Sequence, residues 1–180
     1  MALIPTTILT GFLGAGKTTL LNRILQEPHG FKIAVIENEF GQENIDNEIL
    51  VQDGTEQIVE MNNGCICCTV RGDLIIALTS LAQKRNAGEL QFDHVVIETT
   101  GLANPGPVAQ TFFVDEEVAS EYLVDAIITV VDAKHAMHQL DSYEEAQRQV
   151  GFADKLLFSK TDLVSACLLY TSDAADDLLC

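Results

Sequence analysis

The sequence has few basic residues and no long apolar run. Its 180 residues include 10 Lys and Arg against 27 Asp and Glu, which gives a net charge of −17. A negative field of this size repels polyanions, so we expect no nucleic acid and no anionic membrane among its partners. No apolar stretch approaches the roughly 20 residues that a membrane span requires. A glycine-rich motif begins at Gly11, too near Met1 to leave room for a signal peptide, and we therefore expect a cytoplasmic protein.

Cysteine is also sparse, with five residues in the chain. Thiols stay reduced in the cytoplasm, so these cysteines are better interpreted as ligands, nucleophiles or core residues than as a disulfide framework. Three of them, Cys65, Cys67 and Cys68, follow an Asn-Asn-Gly turn signal directly. The length and the 47% hydrophobic content suit one domain with a substantial core.

The residues 11–19 read Gly-Phe-Leu-Gly-Ala-Gly-Lys-Thr-Thr and match the phosphate-binding pattern G-x-x-x-x-G-K-[ST]. An apolar run precedes them and a helical pattern follows, which is the strand, loop and helix that this motif needs. Backbone N–H groups and the helix dipole would hold a polyphosphate there. Lys17 would meet the outer phosphates, and Thr18 would hold Mg²⁺. The residues predicted to bind the nucleotide here are Gly11, Gly14, Ala15, Gly16, Lys17, Thr18 and Thr19.

Apolar runs and turn signals alternate along the rest of the chain. The expected strands are 6–9, 32–37, 57–61, 94–98, 126–131 and 155–158, and 72–86 has helical spacing. Residues 38–56 are predicted to be a long mobile connection, the first switch segment, and 99–108 an irregular one, the second switch segment. We predict a three-layer α/β P-loop NTPase fold, Rossmann-like, with a mostly parallel sheet and ligands at the carboxyl ends of its strands.

Two further elements indicate the nucleotide. Glu98 ends an apolar strand and stands three residues before Gly101, the arrangement of a Mg²⁺-binding acid and a glycine near the γ-phosphate. Residues 159–162 read Ser-Lys-Thr-Asp at a strand end, so we expect Ser159, Lys160 and Asp162 to bind the base. A carboxylate accepts hydrogen bonds from the donor pair of guanine, which adenine lacks, and this favours GTP and GDP.

The same elements assign the expected catalytic roles to Lys17, Thr18 and Glu98. Leu102 follows Gly101 where some GTPases carry a water-orienting glutamine. We therefore expect slow intrinsic hydrolysis that waits for a partner, a second subunit or a metal.

The cysteine cluster is interpreted as an open metal site. Cys65 and Cys67 point the same way in extended backbone, and Cys68 joins them only if the turn bends. Thiolate ligands favour Zn²⁺, with Co²⁺ or Ni²⁺ as alternatives, over Mg²⁺ or Ca²⁺. The remaining ligands are left open between Glu37, Glu39, Glu43, solvent and another subunit. Small buried cysteines or redox-active thiols are the competing interpretations.

Together these motifs resemble the CobW family of P-loop GTPases, in its YjiA-like branch. The resemblance covers about 4–165 and rests on residues 11–19, 36–41, 63–68, 98–108 and 159–162. It implies a GTP-hydrolysing metallochaperone that carries a transition metal, most often zinc, on the cysteine motif and transfers it to client metalloproteins. The client is not identified by the sequence, and a homo-oligomer is left open.

The chain departs from that family after residue 165. The family's GTPase domain continues with further base-binding elements and normally a C-terminal domain, and we expect both to be missing from this chain. Residues 166–180 resemble a translated sequencing-adapter tail, and the alternative is a divergent helix. We therefore expect an incomplete GTPase domain over 1–165, whose activity requires the missing part, followed by a non-native tail over 166–180.

Two other functions compete with the metallochaperone. A P-loop phosphotransferase acting on a small molecule would prefer ATP, which the Ser-Lys-Thr-Asp element argues against. A zinc-binding regulator would use the nucleotide only as a switch and would not hydrolyse it.

Overall fold

The computed structural model describes residues 2–37, 46–51, 57–62 and 70–165. Within these residues seven strands form one sheet: β1 (Ile4–Thr10), β2 (Ile33–Glu37), β3 (Asp46–Val51), β4 (Gln57–Asn62), β5 (His94–Glu98), β6 (Tyr122–Asp132) and β7 (Lys155–Ser159). Six helices connect or follow them: α1 (Lys17–Gln26), α2 (Val70–Asn86), α3 (Pro105–Val114), α4 (Glu116–Glu121), α5 (Ala136–Ser142) and α6 (Glu144–Gly151). A short 3₁₀ helix, Thr161–Leu163, follows β7.

The sheet has the strand order β4-β3-β2-β5-β1-β6-β7. The pairs β2 with β5, β5 with β1, β1 with β6 and β6 with β7 are parallel, whereas β3 pairs antiparallel with β2 and with β4. Parallel pairing brings the carboxyl ends of β1, β2, β5, β6 and β7 to one edge of the sheet, which is where ligands bind in folds of this class.

The core lies on both faces of the sheet. Successive strand residues point to opposite faces, so Ile8 belongs to a cluster with Leu78 and Phe112, while Leu9 belongs to a second cluster with Leu21. The first cluster is covered by α2, α3 and α4, and the second by α1. The predicted three-layer fold with a mostly parallel sheet is therefore confirmed. Among the described residues, none of the helices has the length and apolar character of a bilayer span.

The prediction that 38–56 is one irregular connection is wrong, because β3 lies inside it. Residues 46–51 read Asp-Asn-Glu-Ile-Leu-Val, and the polar half conceals the strand from a search for apolar runs. The strand forms because Ile49, Leu50 and Val51 pair with β2 while the whole segment pairs with β4. Pairing with the neighbouring strands β2 and β4, and not an apolar run of its own, decided this structure. The rest of the first switch segment lies outside the described residues.

The prediction that 99–108 is irregular throughout is also wrong, because α3 begins at Pro105. Proline is tolerated in the first helical turn, where its missing N–H would have no intrahelical partner. The helix is capped by Asn104, whose Oδ1 accepts a 3.0 Å hydrogen bond from the Gly106 amide. The second switch segment is therefore a loop over 99–104 that leads into a capped helix.

Candidate nucleotide site

The loop between β1 and α1 has the backbone geometry that its glycines allow. Gly16 directly precedes α1 and has φ 98°, and Gly11 directly follows β1 and has φ 145°. Residues other than glycine rarely adopt these backbone angles. A Cβ atom built on Gly11 would collide with the Val130 carbonyl oxygen. Glycine at this position therefore permits the close passage of the loop over β6.

Lys17 is the first residue of α1, and its side chain turns back over the loop. It is only 8% exposed, and its Nζ donates a 2.9 Å hydrogen bond to the Gly11 carbonyl. Burial lowers the pKa of Lys17 below its usual value, while the nearby Glu98 carboxylate acts in the opposite direction. A buried ammonium at this point is suited to an anion held by the loop.

Thr18 and Glu98 meet at the carboxyl edge of the sheet. The Thr18 hydroxyl donates to Glu98 Oε1 at 2.8 Å, although the two residues are 80 positions apart in the sequence. Glu98 is 8% exposed and sits beside Leu9 in the register of β5 with β1. A hydroxyl and a carboxylate are oxygen ligands of the kind that Mg²⁺ prefers, so this pair fits the expected magnesium site.

Gly101 lies against the phosphate loop. A Cβ on this glycine would stand 2.6 Å from the Leu13 nitrogen and 2.7 Å from its Cα. The second switch segment is also attached to β1, because the Thr99 amide donates to the Leu9 carbonyl at 2.9 Å and the Thr99 hydroxyl to Thr10 Oγ1 at 2.9 Å. The backbone of this segment thus touches the loop where a nucleotide's phosphates are expected.

The predicted base-binding element is fastened to the same loop. The Ser159 hydroxyl donates to the Ala15 carbonyl at 2.6 Å, and the Val131 carbonyl lies 3.3 Å from it. Lys160 has φ 54°, and among the described residues it is the one non-glycine residue with a positive φ. Asp162 follows in the 3₁₀ helix and is exposed.

Asp132 is a site residue to which the sequence analysis gave no role. Its Oδ2 accepts from Lys160 Nζ at 2.7 Å and contacts His135 Nδ1 at 2.8 Å, and its Oδ1 accepts from the Lys134 amide at 2.9 Å. Burial alone would raise the pKa of Asp132, but the hydrogen bonds from Lys160, His135 and Lys134 outweigh it and lower the pKa to about 2. One signal was available: Asp132 ends its strand as Glu98 does.

The predicted metal ligands are only partly within the described residues. Glu37 ends β2 and is the register neighbour of Glu98, so it lies at the same sheet edge as the magnesium pair. Cys65, Cys67 and Cys68 lie outside the described residues. In the part of the chain that the structure describes, no group of three or more His, Cys, Asp or Glu side chains is arranged to hold a metal ion.

Comparison with known proteins agrees with this geometry. A model of the CobW/HypB/UreG nucleotide-binding domain matches residues 5–176. The chain belongs to the CobW/HypB/UreG family. The resemblance to CobW proteins expected from the motifs is thereby confirmed.

Several CobW/HypB/UreG relatives are similar over most of this chain. The "Zinc chaperone YjiA" of Escherichia coli (strain K12) is 52% identical over 160 residues, which are 89% of this chain and 50% of that protein. The "Zinc-regulated GTPase metalloprotein activator 1" of Schizosaccharomyces pombe is 44% identical over 169 residues, 91% of this chain and 40% of that protein. The chain thus spans about half the length of these relatives or less.

Solved structures of a CobW/HypB/UreG relative show the same fold. The crystal structure of Zn(II)-bound YjiA GTPase from E. coli superimposes with a TM-score of 0.75 at 42% identity, over 97% of this chain and 55% of that one. A Zn(II)-bound triple mutant of the same GTPase, with one glutamate and two cysteines replaced by alanine, gives a TM-score of 0.76.

Proposed function

We propose that this chain is the nucleotide-binding part of a GTP-hydrolysing metallochaperone that binds a transition metal, zinc first of all, and transfers it to client metalloproteins. The observation that carries the nucleotide half is the Thr18 to Glu98 hydrogen bond of 2.8 Å beside the buried Lys17 ammonium. The Lys17 ammonium, suited to phosphates, then lies beside the Thr18 and Glu98 oxygens, suited to Mg²⁺. Enzymes that transfer phosphoryl groups use this combination of a cationic side chain and a magnesium site.

The choice of guanine is supported by how the base element is held. Ser159 attaches it to the phosphate loop through Ala15, and Asp132 holds the Lys160 ammonium. The left-handed backbone of Lys160 is strained for a side-chain residue, and strain of this kind concentrates at binding sites. Asp162, exposed on the adjoining turn, is free of these ties and is proposed to accept the two donors of guanine.

In the proposed mechanism the chain mainly positions and neutralises charge. Lys17 exchanges its bond to the Gly11 carbonyl for the outer phosphates, and the loop amides bind the phosphate oxygens. Thr18 and Glu98 would hold Mg²⁺, which when bound neutralises charge on the phosphates. Leu102 is 52% exposed and has no group that could orient a water, so we propose that the isolated chain hydrolyses GTP slowly.

The metal half of the proposal rests on the cysteine motif and on the relatives. Cys65, Cys67 and Cys68 supply thiolates, the ligands that select Zn²⁺, with Co²⁺ or Ni²⁺ as alternatives. Glu37 is added as a ligand because it ends β2 at the nucleotide edge of the sheet, next to Glu98. Relatives with the printed names zinc chaperone and zinc-regulated GTPase metalloprotein activator support the same cargo. Thiolate ligands require reduced cysteines, which is why we place the protein in the cytoplasm.

Metal and nucleotide are proposed to be coupled through this shared edge. A bound nucleotide changes metal affinity only if the two nucleotide states offer the metal different ligands. Glu37, the register partner of Glu98 on the adjacent strand, is the residue through which such a change would pass.

The test is GTP turnover with and without stoichiometric Zn²⁺, in the wild-type chain and in Cys65→Ser/Cys67→Ser. We expect slow turnover whose rate responds to Zn²⁺ in the wild type and no longer responds in the double variant. A GTP turnover rate that changes neither with zinc nor with the substitutions would overturn the metal-transfer half of the proposal. Zinc and GTP binding with no turnover would support the non-hydrolysing regulator, and preference for ATP would support the phosphotransferase.

A further inference from the structure

Gln149 is a buried amide that connects α6 to the second switch segment. Its side chain is 1% exposed, and Nε2 donates to the Gly101 carbonyl at 3.1 Å and to the Ala103 carbonyl at 3.1 Å. Both acceptors are carbonyl oxygens, so the NH₂ end of the amide, and not its oxygen, faces them. A carboxylate or an apolar side chain of the same length could not make these two bonds.

One of these bonds holds Gly101, a residue of the second switch segment whose backbone abuts the phosphate loop. On one side Gly101 abuts the backbone of Leu13, where a Cβ would be 2.6 Å from the nitrogen. On the other side its carbonyl is held by Gln149. Gly101 is therefore confined between the phosphate loop and the amide, and its position depends on both.

The helix that carries the amide is itself anchored. The Thr129 hydroxyl on β6 donates to the Gln149 carbonyl at 2.7 Å, and that hydrogen bond is buried. The ring of Phe152, just after α6, packs so closely on Gly106 that a Cβ there would lie 2.8 Å from its Cζ. The amide therefore projects from a fixed support rather than from a free helix end.

The Gln149 amide pairs two backbone carbonyls with its nitrogen but leaves its oxygen unpaired. Among the described residues, Gln149 Oε1 and Thr100 Oγ1 are buried side-chain atoms with no hydrogen-bond partner. Leaving buried polar atoms unpaired is costly, and an apolar residue would avoid the unpaired Oε1 but would take the donor away from two carbonyls. The amide therefore stabilises the fold and, in the same contact, fixes the position of the Gly101 to Ala103 backbone.

We propose that Gln149 is a positioning residue that sets the γ-phosphate end of the site. By holding the Gly101 carbonyl, it keeps the Gly101 N–H beside the phosphate loop, where it meets the γ-phosphate of GTP. GDP has no γ-phosphate, so its binding does not use this contact. Gln149 thus makes the site distinguish GTP from GDP, a role that rests on the proposed function of binding guanine nucleotides.

The test compares two substitutions in the 180-residue chain. Gln149→Met keeps the length of the side chain and removes both donors. Tyr122→Phe is the matched control, because it removes a buried side-chain hydrogen bond to a backbone carbonyl, that of Leu78, without touching Gln149 or the second switch segment. The affinities for GDP and for a non-hydrolysable GTP analogue are measured by calorimetry with Mg²⁺. Because Gln149→Met loses two neutral hydrogen bonds, we expect its affinity for the GTP analogue to fall by about tenfold and its affinity for GDP by less than about twofold.

The control separates positioning from stability. We expect Tyr122→Phe to change the two affinities by equal factors. Equal losses for both nucleotides in Gln149→Met would overturn the inference and leave GTP binding intact. If Gln149→Met does not fold, Gln149→Glu replaces it, because its carboxylate repels the two carbonyls and should produce the same selective loss. A wild-type chain that binds neither nucleotide would overturn the proposed function, and the inference with it.

Discussion

Replacing Gly101 by alanine tests the close approach between the second switch segment and the phosphate loop. The added Cβ would stand 2.6 Å from the Leu13 nitrogen and 2.7 Å from its Cα. Comfortable contacts between heavy atoms begin near about 3.5 Å, so the two segments must separate by roughly 1 Å. Both contacting atoms are backbone, and neither can rotate away as a side chain would.

The expected effect of Gly101→Ala has two parts. Overpacking of this kind costs about 1–3 kcal/mol of stability. A misplacement of about 1 Å near reacting groups lowers turnover on the order of 100-fold. The first is measured by urea unfolding and the second by GTP turnover at saturating GTP and Mg²⁺.

Gly88→Ala is the matched control. Gly88 lies between α2 and β5 with φ 77°, and a Cβ there would meet nothing within 4 Å. Its substitution introduces left-handed strain of about 1 kcal/mol without any contact with the site. We expect Gly88→Ala to lose stability and keep turnover. A Gly101→Ala chain with turnover within twofold of the wild type would refute the reasoning.

Three further substitutions probe the charged groups. Glu98→Gln should weaken Mg²⁺-dependent GTP binding by about tenfold or more, because it removes the negative charge of the carboxylate that is proposed to bind the metal. Calorimetry across a series of Mg²⁺ concentrations measures this effect. Asp132→Asn should cost about 2 kcal/mol at pH 7 in urea unfolding, since folding lowers the pKa from 3.8 to about 2. That stabilisation is complete above the unfolded pKa and is lost as the pH falls through the folded one, so the difference between wild type and variant should be about half as large at pH 3. Asp162→Asn should reduce the preference for GTP over ATP by about tenfold or more in competition binding.

Each of these has a contrary result. An Mg²⁺ dependence unchanged in Glu98→Gln would remove that carboxylate from the metal site. A loss in Asp132→Asn that is equal at pH 7 and pH 3 would show that the charge is not its cause. An unaltered GTP preference in Asp162→Asn would leave the Ser-Lys-Thr-Asp element without its proposed role.

How far the sequence predicted the structure depended on how local each feature is. The phosphate loop was predictable because its glycines, Lys17 and Thr18 lie within nine consecutive residues, 11–19, and determine the local backbone among themselves. The prediction of irregular structure throughout 99–108 was wrong, because α3 begins at Pro105. Proline is tolerated in the first helical turn, since it lacks only an N–H that would have no intrahelical partner. The strand β3 was missed because its pairing partners, rather than its own residues, stabilise it.

Side chains that act across the fold gave weaker signals. Asp132 ends a strand, as Glu98 does, but only the approach of Lys160 and His135 shows what its carboxylate holds. Gln149 has no sequence signal, since a glutamine in a polar helix is ordinary. Its burial against Gly101 arises from the packing of α6.

By itself the sequence determined that a phosphate loop stands between a strand and a helix, that the sheet is mostly parallel, and that the fold is a P-loop one. These follow from backbone freedom at glycine and from apolar runs, which are properties of neighbouring residues. Tertiary structure alone decided that Thr18 meets Glu98, that Ser159 reaches Ala15, and that Gln149 holds Gly101. The physical reason is that parallel pairing gathers strand ends from distant parts of the chain at one edge, and only packing then sets which side chains meet there.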